Sequence, residues 1–260
     1  MHERLSFYVK RDSPLHSLNP LTKLTLVLGL VLISFASPWY WTPQFLVLFG
    51  IIPLIFIGKV QREYFGAMLR LILPASGILF LMQVFFLPGE HEIFRIWVIT
   101  VTQESLTNAV TNATRIFLMV SSFTLFLLTT HPSELMSDLT RRGLPGQFAY
   151  VIISTLQIIP QMQSKAQTII AAQRSRGLDT QSSFGKRVGA LVPLVGPLVL
   201  GSLVEVEERA IAIEARGFTS TRKKTSLYEI PDSSLDKVLR WGLILLIVVS
   251  IASRFFLAGS

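Results

Sequence analysis

Long apolar runs without any charged residue dominate the first half of the chain. No Asp, Glu, Lys or Arg occurs from Leu24 to Gly58 or from Leu71 to Gly89. A charge-free apolar run of about 18 residues or more is long enough to cross the hydrocarbon core of a bilayer. The pattern therefore predicts membrane-spanning helices rather than the amphipathic helices or alternating strands of a soluble domain.

Polar and aromatic turns divide the apolar residues into about five predicted transmembrane helices. Asn19-Pro20 is a plausible start for the first, because Asn caps helices and Pro is favoured in the first turn. The turn from Pro38 to Pro43 contains three aromatic side chains, which is typical of an interfacial belt. The predicted spans are residues 21–37, 44–58, 68–87, 106–130 and 239–257.

The distribution of Lys and Arg predicts the orientation of these spans. The head, residues 1–23, and the loop 59–70 together hold seven Lys and Arg residues. The turn 38–43 holds none, and the loop 88–105 holds one. Because positive residues are enriched in cytoplasmic loops, we expect a cytoplasmic N-terminal segment and a fourth span that returns to the cytoplasm.

Two further apolar stretches, residues 144–159 and 188–204, have basic residues on both sides. A crossing helix would place one of its basic flanks outside the cell, so we predict that neither stretch fully crosses. Pro160 is interpreted as the start of an amphipathic helix. Residues 131–236 are therefore predicted to form a helical cytoplasmic domain, lying partly in the membrane surface. The expected fold is all-α, with a four-helix transmembrane region over 21–130, this inserted domain, and a final transmembrane helix within 237–260.

The composition and motifs argue against an enzyme. The chain has no cysteine, its four histidines share no ligand spacing, and neither a Walker phosphate loop nor a Gly-x-Ser-x-Gly elbow occurs. We therefore predict no catalytic residue, no metal ligand and no cofactor bound by this chain. The net charge of +8 is attributed to the cytoplasmic face of a membrane protein, and no nucleic-acid partner is expected.

Arg115 is the single charged residue of the predicted span 106–130. We interpret it as a helix-packing residue that is hydrogen-bonded to backbone carbonyls or to Gln83. A direct role with a substrate ion is the less favoured alternative.

Two segments share the same ending, a small residue followed by Arg and Gly. Capping alone explains one such ending, because Arg is favourable in the last helical turn and Gly is the usual left-handed cap. Small residues before both endings would allow close helix packing, and a guanidinium can bind a carboxylate or several carbonyls in a fixed geometry. The candidate site residues are Ser175, Arg176, Gly177, Ala215, Arg216 and Gly217, with Arg174, Glu214 and Pro160 as possible supporting residues.

With these endings, the chain resembles the transmembrane coupling (T) component of energy-coupling-factor transporters, the family of CbiQ-, BioN- and EcfT-type proteins. The resemblance covers nearly the whole length. It rests on the two endings, of which the first has Ser in place of Ala, and on three further segments. These are Ser13-Pro14-Leu15-His16, Asn19-Pro20-Leu21-Thr22-Lys23 and Glu207-Glu208-Arg209-Ala210.

The resemblance implies a coupling function in the plasma membrane. Arg176 and Arg216 would each dock one of two ABC ATPase subunits, a homo- or heterodimer that binds ATP and Mg. A separate membrane-embedded S component would capture a vitamin or a transition-metal ion such as cobalt or nickel. ATP-driven motion would pass through the cytoplasmic coupling helices to that S component.

Two alternatives remain open at this stage. The chain could be the permease subunit of a conventional ABC importer with its own substrate pathway. The loop signature of such permeases is approached by Ala171-Ala172 and Gly177, but the preceding Glu is missing and the Gly is displaced by one residue. A membrane-bound enzyme or scaffold is the other alternative, although no nucleophile–base pair or metal cluster is recognisable.

Overall fold

The fold is built almost entirely from helices. The computed structural model describes residues 8–9, 11–87, 89, 91–96, 99–177, 184–218, 220 and 232–258. The elements in chain order are α1 Pro14–Ser17, α2 Pro20–Ala36, α3 Thr42–Gly58, α4 Gln61–Phe86, β1 Glu92–Ile96, β2 Ile99–Thr102, α5 Gln103–Thr129, α6 Pro132–Arg141, α7 Gly146–Ser175, α8 Phe184–Ala215 and α9 Ser234–Ala258.

The protein is an all-α polytopic membrane protein, as its sequence predicts. In the described part of the chain, α4, α5 and residues Ser234–Phe255 of α9 are long and apolar enough to cross a membrane. The apolar helices α2 and α3 are shorter. These five helices coincide with the five predicted spans. Residues 1–7 and 221–231, whose charges support the predicted orientation, lie outside the described residues.

Two predicted loops are wrong in detail. The third span begins at Gln61 instead of residue 68, so Arg62, Glu63 and Arg70 lie in α4. Arg62 and Arg70 are exposed, so a helix can carry them without burying charge. The predicted loop 88–105 contains the antiparallel hairpin β1–β2. Its strands are rich in β-branched Ile, Thr and Val, which favour strands over an irregular loop.

The helices α3 and α4 each contain one π-helical turn, Val47–Ile51 and Met68–Ile72. Pro53 and Pro74 follow these turns closely. A proline removes one backbone donor and crowds the preceding turn of a regular α-helix. The wider π turn therefore accommodates each proline while the helix continues.

The helix α5 lies at the centre of the transmembrane packing and contacts α2, α3 and α4. Its inward side chains Leu118, Leu125 and Leu128 belong to a buried cluster with residues of all three neighbours. The hydroxyl of Tyr64 on α4 donates to Ser121 Oγ on α5 over 2.7 Å. Packing and this buried hydrogen bond together fix α4 against α5.

A buried lysine at the start of α2 connects this helix to the segment before it and to the end of α5. Lys23 is 3% exposed, and its Nζ donates to the carbonyls of His16 and Thr129, each over 2.9 Å. Nearby, the backbone N–H of Asn19 donates to Asp236 Oδ1 over 3.0 Å. The Asn19 side chain caps α2, as predicted, by accepting from Leu21 N. This Lys23 layer joins the starts of α2 and α9 to the end of α5.

A second set of polar contacts lies at the other end of α2. Arg115 donates from Nε to the Ser34 carbonyl over 3.2 Å and lies 5.5 Å from the centre of the Phe35 ring. Asn112, which accepts a bond from Arg115, donates to Gln83 over 3.2 Å. Arg115 therefore contacts backbone and side chains in the way that a helix-packing residue does.

Contacts divide the chain into two compact units. The membrane body comprises Ser6–Gly143 and Ile230–Ser260, and the paired-helix unit lies within Leu144–Glu229. Pro160 lies inside the continuous helix α7, so the prediction that it starts a helix is wrong. The thirteen residues before Pro160 contain neither Gly nor Pro, so no helix breaker interrupts the turns that lead to it. The helix α6, within the predicted domain 131–236, belongs to the membrane body, and the functional role of that predicted domain stays a prediction.

Candidate coupling site on the paired helices

The two Arg-Gly endings have the same backbone geometry. In the first, Arg176 N and Gly177 N donate to the carbonyls of Gln173 and Arg174 over 3.1 and 2.9 Å. In the second, the N–H groups of Arg216 and Gly217 donate three residues back over 3.2 and 2.9 Å. The repeated motif is therefore a repeated structure, with Arg at the first position beyond the helix in both copies.

Both glycines adopt a left-handed conformation. Gly177 has φ +90° and Gly217 has φ +71°. No neighbouring atom lies within 4 Å of an added Cβ at either position, so conformation rather than space requires glycine there. At the second ending, Phe218 N also donates to the Ile213 carbonyl over 3.2 Å, which completes a Schellman cap. The equivalent residue of the first ending, Leu178, lies outside the described residues.

Both arginine side chains are exposed. Within the described ranges, neither Arg176 nor Arg216 has a hydrogen bond or an ion pair from its guanidinium. Each arginine follows a helix C-terminus, where unpaired carbonyls carry partial negative charge. Each guanidinium is therefore held close to a helix end while its donors remain available.

The other candidate residues have supporting positions. Ser175 is the last residue of α7, and its hydroxyl donates to the Ala171 carbonyl over 3.2 Å, so this small polar side chain is used within the helix. Ala215 ends α8. Arg174 and Glu214 are exposed and supply the carbonyls that accept from the two glycines. Pro160 is sixteen residues before Arg176 (176 − 160) and is not part of either ending.

Three contacts show how α7 and α8 lie beside each other. The rings of Tyr150 and Phe218 have centroids 5.2 Å apart, and Ser202 Oγ lies 3.4 Å from Met162 Sδ. Lys165 forms an ion pair with Glu205. Phe218 directly follows the end of α8 and packs against Tyr150 in the first turns of α7, so the helices run in opposite directions.

The antiparallel arrangement separates the two arginines. Arg216 lies next to Phe218 and therefore near Tyr150, in the first turns of α7. Arg176 is 26 residues (176 − 150) further along that helix. At 1.5 Å per residue, the two endings are roughly 40 Å apart. They therefore lie at opposite ends of the helix pair and do not form one combined site.

The helix pair has almost no interior of its own. Of the described side chains on α7, only Ala149 and Ser154 are buried, and none of those described on α8 is buried. Large apolar side chains are exposed on both helices, such as Phe148, Ile159 and Leu200. Apolar exposure on this scale indicates contact with a membrane or with partner proteins.

Sequence reasoning missed the contact that fixes the second ending. Phe218 directly follows the Arg-Gly pair, and its ring packs on Tyr150, sixty-eight residues earlier (218 − 150). An aromatic residue after a helix cap suggests a hydrophobic contact with the cap. Its actual partner is on another helix, which the local pattern does not reveal.

These features define a class of protein: a polytopic helical membrane protein with a pair of long helices that ends in two exposed arginines. A family model described as "Cobalt transport protein", CbiQ, matches residues 11–227 of the chain. The chain therefore belongs to the CbiQ family.

Similar proteins carry the name energy-coupling factor transporter transmembrane protein EcfT. The protein of that name from Thermanaerovibrio acidaminovorans is 33% identical, over 97% of this chain and 95% of its own length. The one from Limosilactobacillus fermentum is 30% identical, over 99% and 98% respectively. A third, from Lactococcus lactis, is 27% identical over 94% and 95%. The similarity thus extends through the membrane helices and the paired helices alike.

Proposed function

We propose that this chain is the transmembrane coupling subunit of an energy-coupling factor transporter. It would transmit ATP-driven motion of two ABC ATPase subunits to a membrane-embedded substrate-binding component, which takes up a vitamin or a transition-metal ion. Hydrolysis of ATP, with its Mg, would take place in the partner ATPases. The chain would lie in the plasma membrane with its N-terminus and paired helices on the cytoplasmic side.

The observation that carries the proposal is the pair of identically capped arginines at opposite ends of two antiparallel helices. A single binding groove could not contact both endings, because they are roughly 40 Å apart by the rise of an α-helix. Two copies of one groove, on two related subunits, would match two endings with the same geometry. In the proposed complex, Arg176 therefore contacts one ATPase and Arg216 the other.

The chemistry of the endings fits such a contact. A guanidinium presents five donors in a planar fork, which suits a carboxylate or a cluster of backbone carbonyls on the ATPase. Gly177 and Gly217 end each helix, so the arginine projects beyond the last turn. Ser175 and Ala215 are small, which allows a groove wall to approach the helix end closely.

The test is co-purification of the ATPases with tagged protein in which Arg176→Glu and Arg216→Glu are combined. We expect at least a tenfold loss of bound ATPase, because two positive contacts become negative. A matched double variant, Arg62→Glu with Lys237→Glu, inverts the same number of charges at exposed positions of the membrane body and should retain the ATPases.

Each single variant should keep part of the bound ATPase, since the other ending remains. Undiminished co-purification by the double variant would contradict the assignment of the two arginines. Transport activity of this chain with ATPases alone, without any substrate-binding component, would instead favour a conventional importer.

A further inference from the structure

An ion-pair cluster lies where α6 ends and α9 begins. One nitrogen of Arg240, Nη2, donates to both oxygens of Asp232, over 2.6 and 2.8 Å. Arg142 donates from its own Nη2 to Asp232 Oδ2 over 3.1 Å. Its Nε lies 3.5 Å from Asp138 Oδ2. These four residues, Asp138, Arg142, Asp232 and Arg240, are called the clasp below.

The clasp includes residues that lie beside each of the two chain connections between the units. The membrane body is joined to the paired-helix unit twice, after Gly143 and before Ile230. Arg142 is the residue before the first connection, and Asp232 is two residues after the start of the second segment of the body. The bond between Arg142 and Asp232 therefore holds the two connections together, although 90 residues separate them in sequence.

The clasp is partly removed from solvent and is balanced in charge. The side-chain exposures are 3% for Asp138, 12% for Arg240, 26% for Asp232 and 42% for Arg142. Two carboxylates face two guanidiniums, so no member is left as a buried net charge. The pair of Arg240 with Asp232 is the more enclosed one, and it is screened less by salt than a fully exposed pair.

The clasp favours the ionised form of the Asp232 carboxyl. The bond from Arg240 is the main cause that holds the pKa of the Asp232 carboxyl below its ordinary value, and Arg142 adds to the effect. The lowered pKa favours the ionised carboxylate. The clasp is therefore suited to a constant mechanical role rather than to a pH switch.

A glycine in a left-handed conformation, Gly143, lies directly beside the clasp, and its N–H donates to the Thr140 carbonyl over 3.2 Å. Gly143 has φ +116°, and no atom would lie within 4 Å of an added Cβ. Glycine adopts this conformation without strain, whereas other residues rarely do. A fixed residue, Arg142, is thus followed immediately by a conformationally permissive one at the first connection.

We propose that Asp232 is a positioning residue for energy coupling. Through Arg142 and Arg240 it fixes both chain connections at one common pivot, and rotation takes place at Gly143. A displacement imposed at Arg176 or Arg216 then moves the paired helices as one lever instead of stretching two independent linkers. This inference rests on the proposed function.

The experiment uses the complex purified through a tag on this chain. The chain has no cysteine, so Asn108→Cys and Gln167→Cys on the exposed surfaces of α5 and α7 allow spin labels to be attached at known positions. The distance between the labels is measured with and without ATP plus vanadate. Bound ATPase and the rate of ATP hydrolysis are measured on the same preparations.

With Asp232→Asn we expect the same amount of bound ATPase and a hydrolysis rate within twofold of the unaltered complex, but less than half of the nucleotide-dependent distance change. Asp232→Glu should restore the change, since it restores the charge. Arg142→Gln alters the most exposed member of the clasp and should reduce the nucleotide-dependent distance change by an intermediate amount. This second variant replaces Asp232→Asn in the test if that protein folds poorly. The control is Glu63→Gln, which removes the carboxylate of the 3.1 Å pair with Arg11, away from both connections.

An unchanged distance response in Asp232→Asn and Arg142→Gln would overturn the inference. Loss of bound ATPase in these variants would also overturn it, because the clasp would then serve assembly. Failure of the proposed function would give a different result, because no ATPase would then co-purify with the unaltered chain.

Discussion

The membrane body and the two Arg-Gly endings use their positively charged side chains in opposite ways. In the body, Lys23 and Arg115 donate to backbone carbonyls, and Arg240 binds a carboxylate. On the paired helices, the guanidiniums of Arg176 and Arg216 have no polar partner among the described residues. The difference indicates that these residues of the body stabilise the fold, as Lys165 does with Glu205 on the helix pair, whereas the two endings keep their guanidiniums available for another molecule.

Burial follows the same division. The body encloses a cluster of nine buried apolar residues between its helices, whereas the paired helices bury only Ala149 and Ser154 among their described side chains. A helix pair without an interior gains little stability from its own packing. Changes in the body should therefore alter stability, and changes at the helix endings should alter assembly.

The largest effect on stability is expected from Lys23→Met. The methionine fills the space but leaves the His16 and Thr129 carbonyls without their donor, which should cost about 2 kcal/mol. The midpoint of thermal unfolding in detergent measures this loss. Lys237→Met, on the exposed surface of α9, is the control and should change stability by less than about 0.5 kcal/mol. Equal effects of the two changes would contradict the structural role of the Lys23 layer.

A smaller effect at each site is expected when Gly177 and Gly217 are both replaced by alanine. Each alanine must adopt a positive φ or the helix end must rearrange, at a cost of about 1 kcal/mol per site. Amide hydrogen exchange in the last turns of α7 and α8 should accelerate, while exchange in α5 should not. Gly66→Ala, on α4 with no atom near an added Cβ, is the control with ordinary helical backbone.

Removal of the two exposed arginines should change stability least among these substitutions. We expect Arg176→Ala with Arg216→Ala to shift the free energy of unfolding by less than about 0.5 kcal/mol, since exposed side chains without partners contribute little. The same variant should lose most of its bound ATPase. A marked fall in the unfolding midpoint of the isolated chain would show that the arginines stabilise the chain itself, and would weaken the comparison.

The smallest effect concerns pH. Burial is the main cause that lowers the pKa of the His16 imidazole below 6.5, and Lys23 and Arg11 add to it, although the Val9 carbonyl and Glu134 oppose it. The folded state therefore favours the neutral ring. Its contribution to stability is complete above pH 6.5 and decreases as the pH falls through the lowered pKa, because the unfolded state binds the proton first.

The test compares unfolding midpoints at about pH 7.5 and pH 5.5, on either side of the ordinary histidine pKa. His16→Gln should lose part of the decrease that the unaltered protein shows at the lower pH. An identical decrease in both proteins would assign the pH dependence to other groups.

The sequence predicts the membrane helices well because their signal is local. A charge-free apolar run needs no knowledge of its neighbours, and all five apolar helices of the body begin and end within a few residues of the predicted spans, apart from the early start of α4. The prediction failed where context overrides local preference. Pro160 is a helix breaker by itself, yet α7 continues through it.

Part of the candidate site was predictable because its sequence signal is also local. Two Arg-Gly endings are visible in the sequence, and their left-handed glycines follow from the residue type. Their separation to opposite ends of a helix pair was not predictable, because it depends on long-range contacts such as Tyr150 with Phe218. The clasp was also invisible, since its partners Arg142 and Asp232 are 90 residues apart and match no motif.

The π turn in α4 has a consequence for the rotational phase of that helix. Its buried residues Tyr64, Ile72, Ser76 and Val84 are separated by multiples of four. In a regular helix of 3.6 residues per turn, the twenty residues from Tyr64 to Val84 (84 − 64) would turn these side chains apart by about 200°. One wider turn removes about 100° of that rotation. The Met68–Ile72 turn thus halves the rotation between Tyr64 and Val84, which helps both side chains to be buried along one long helix.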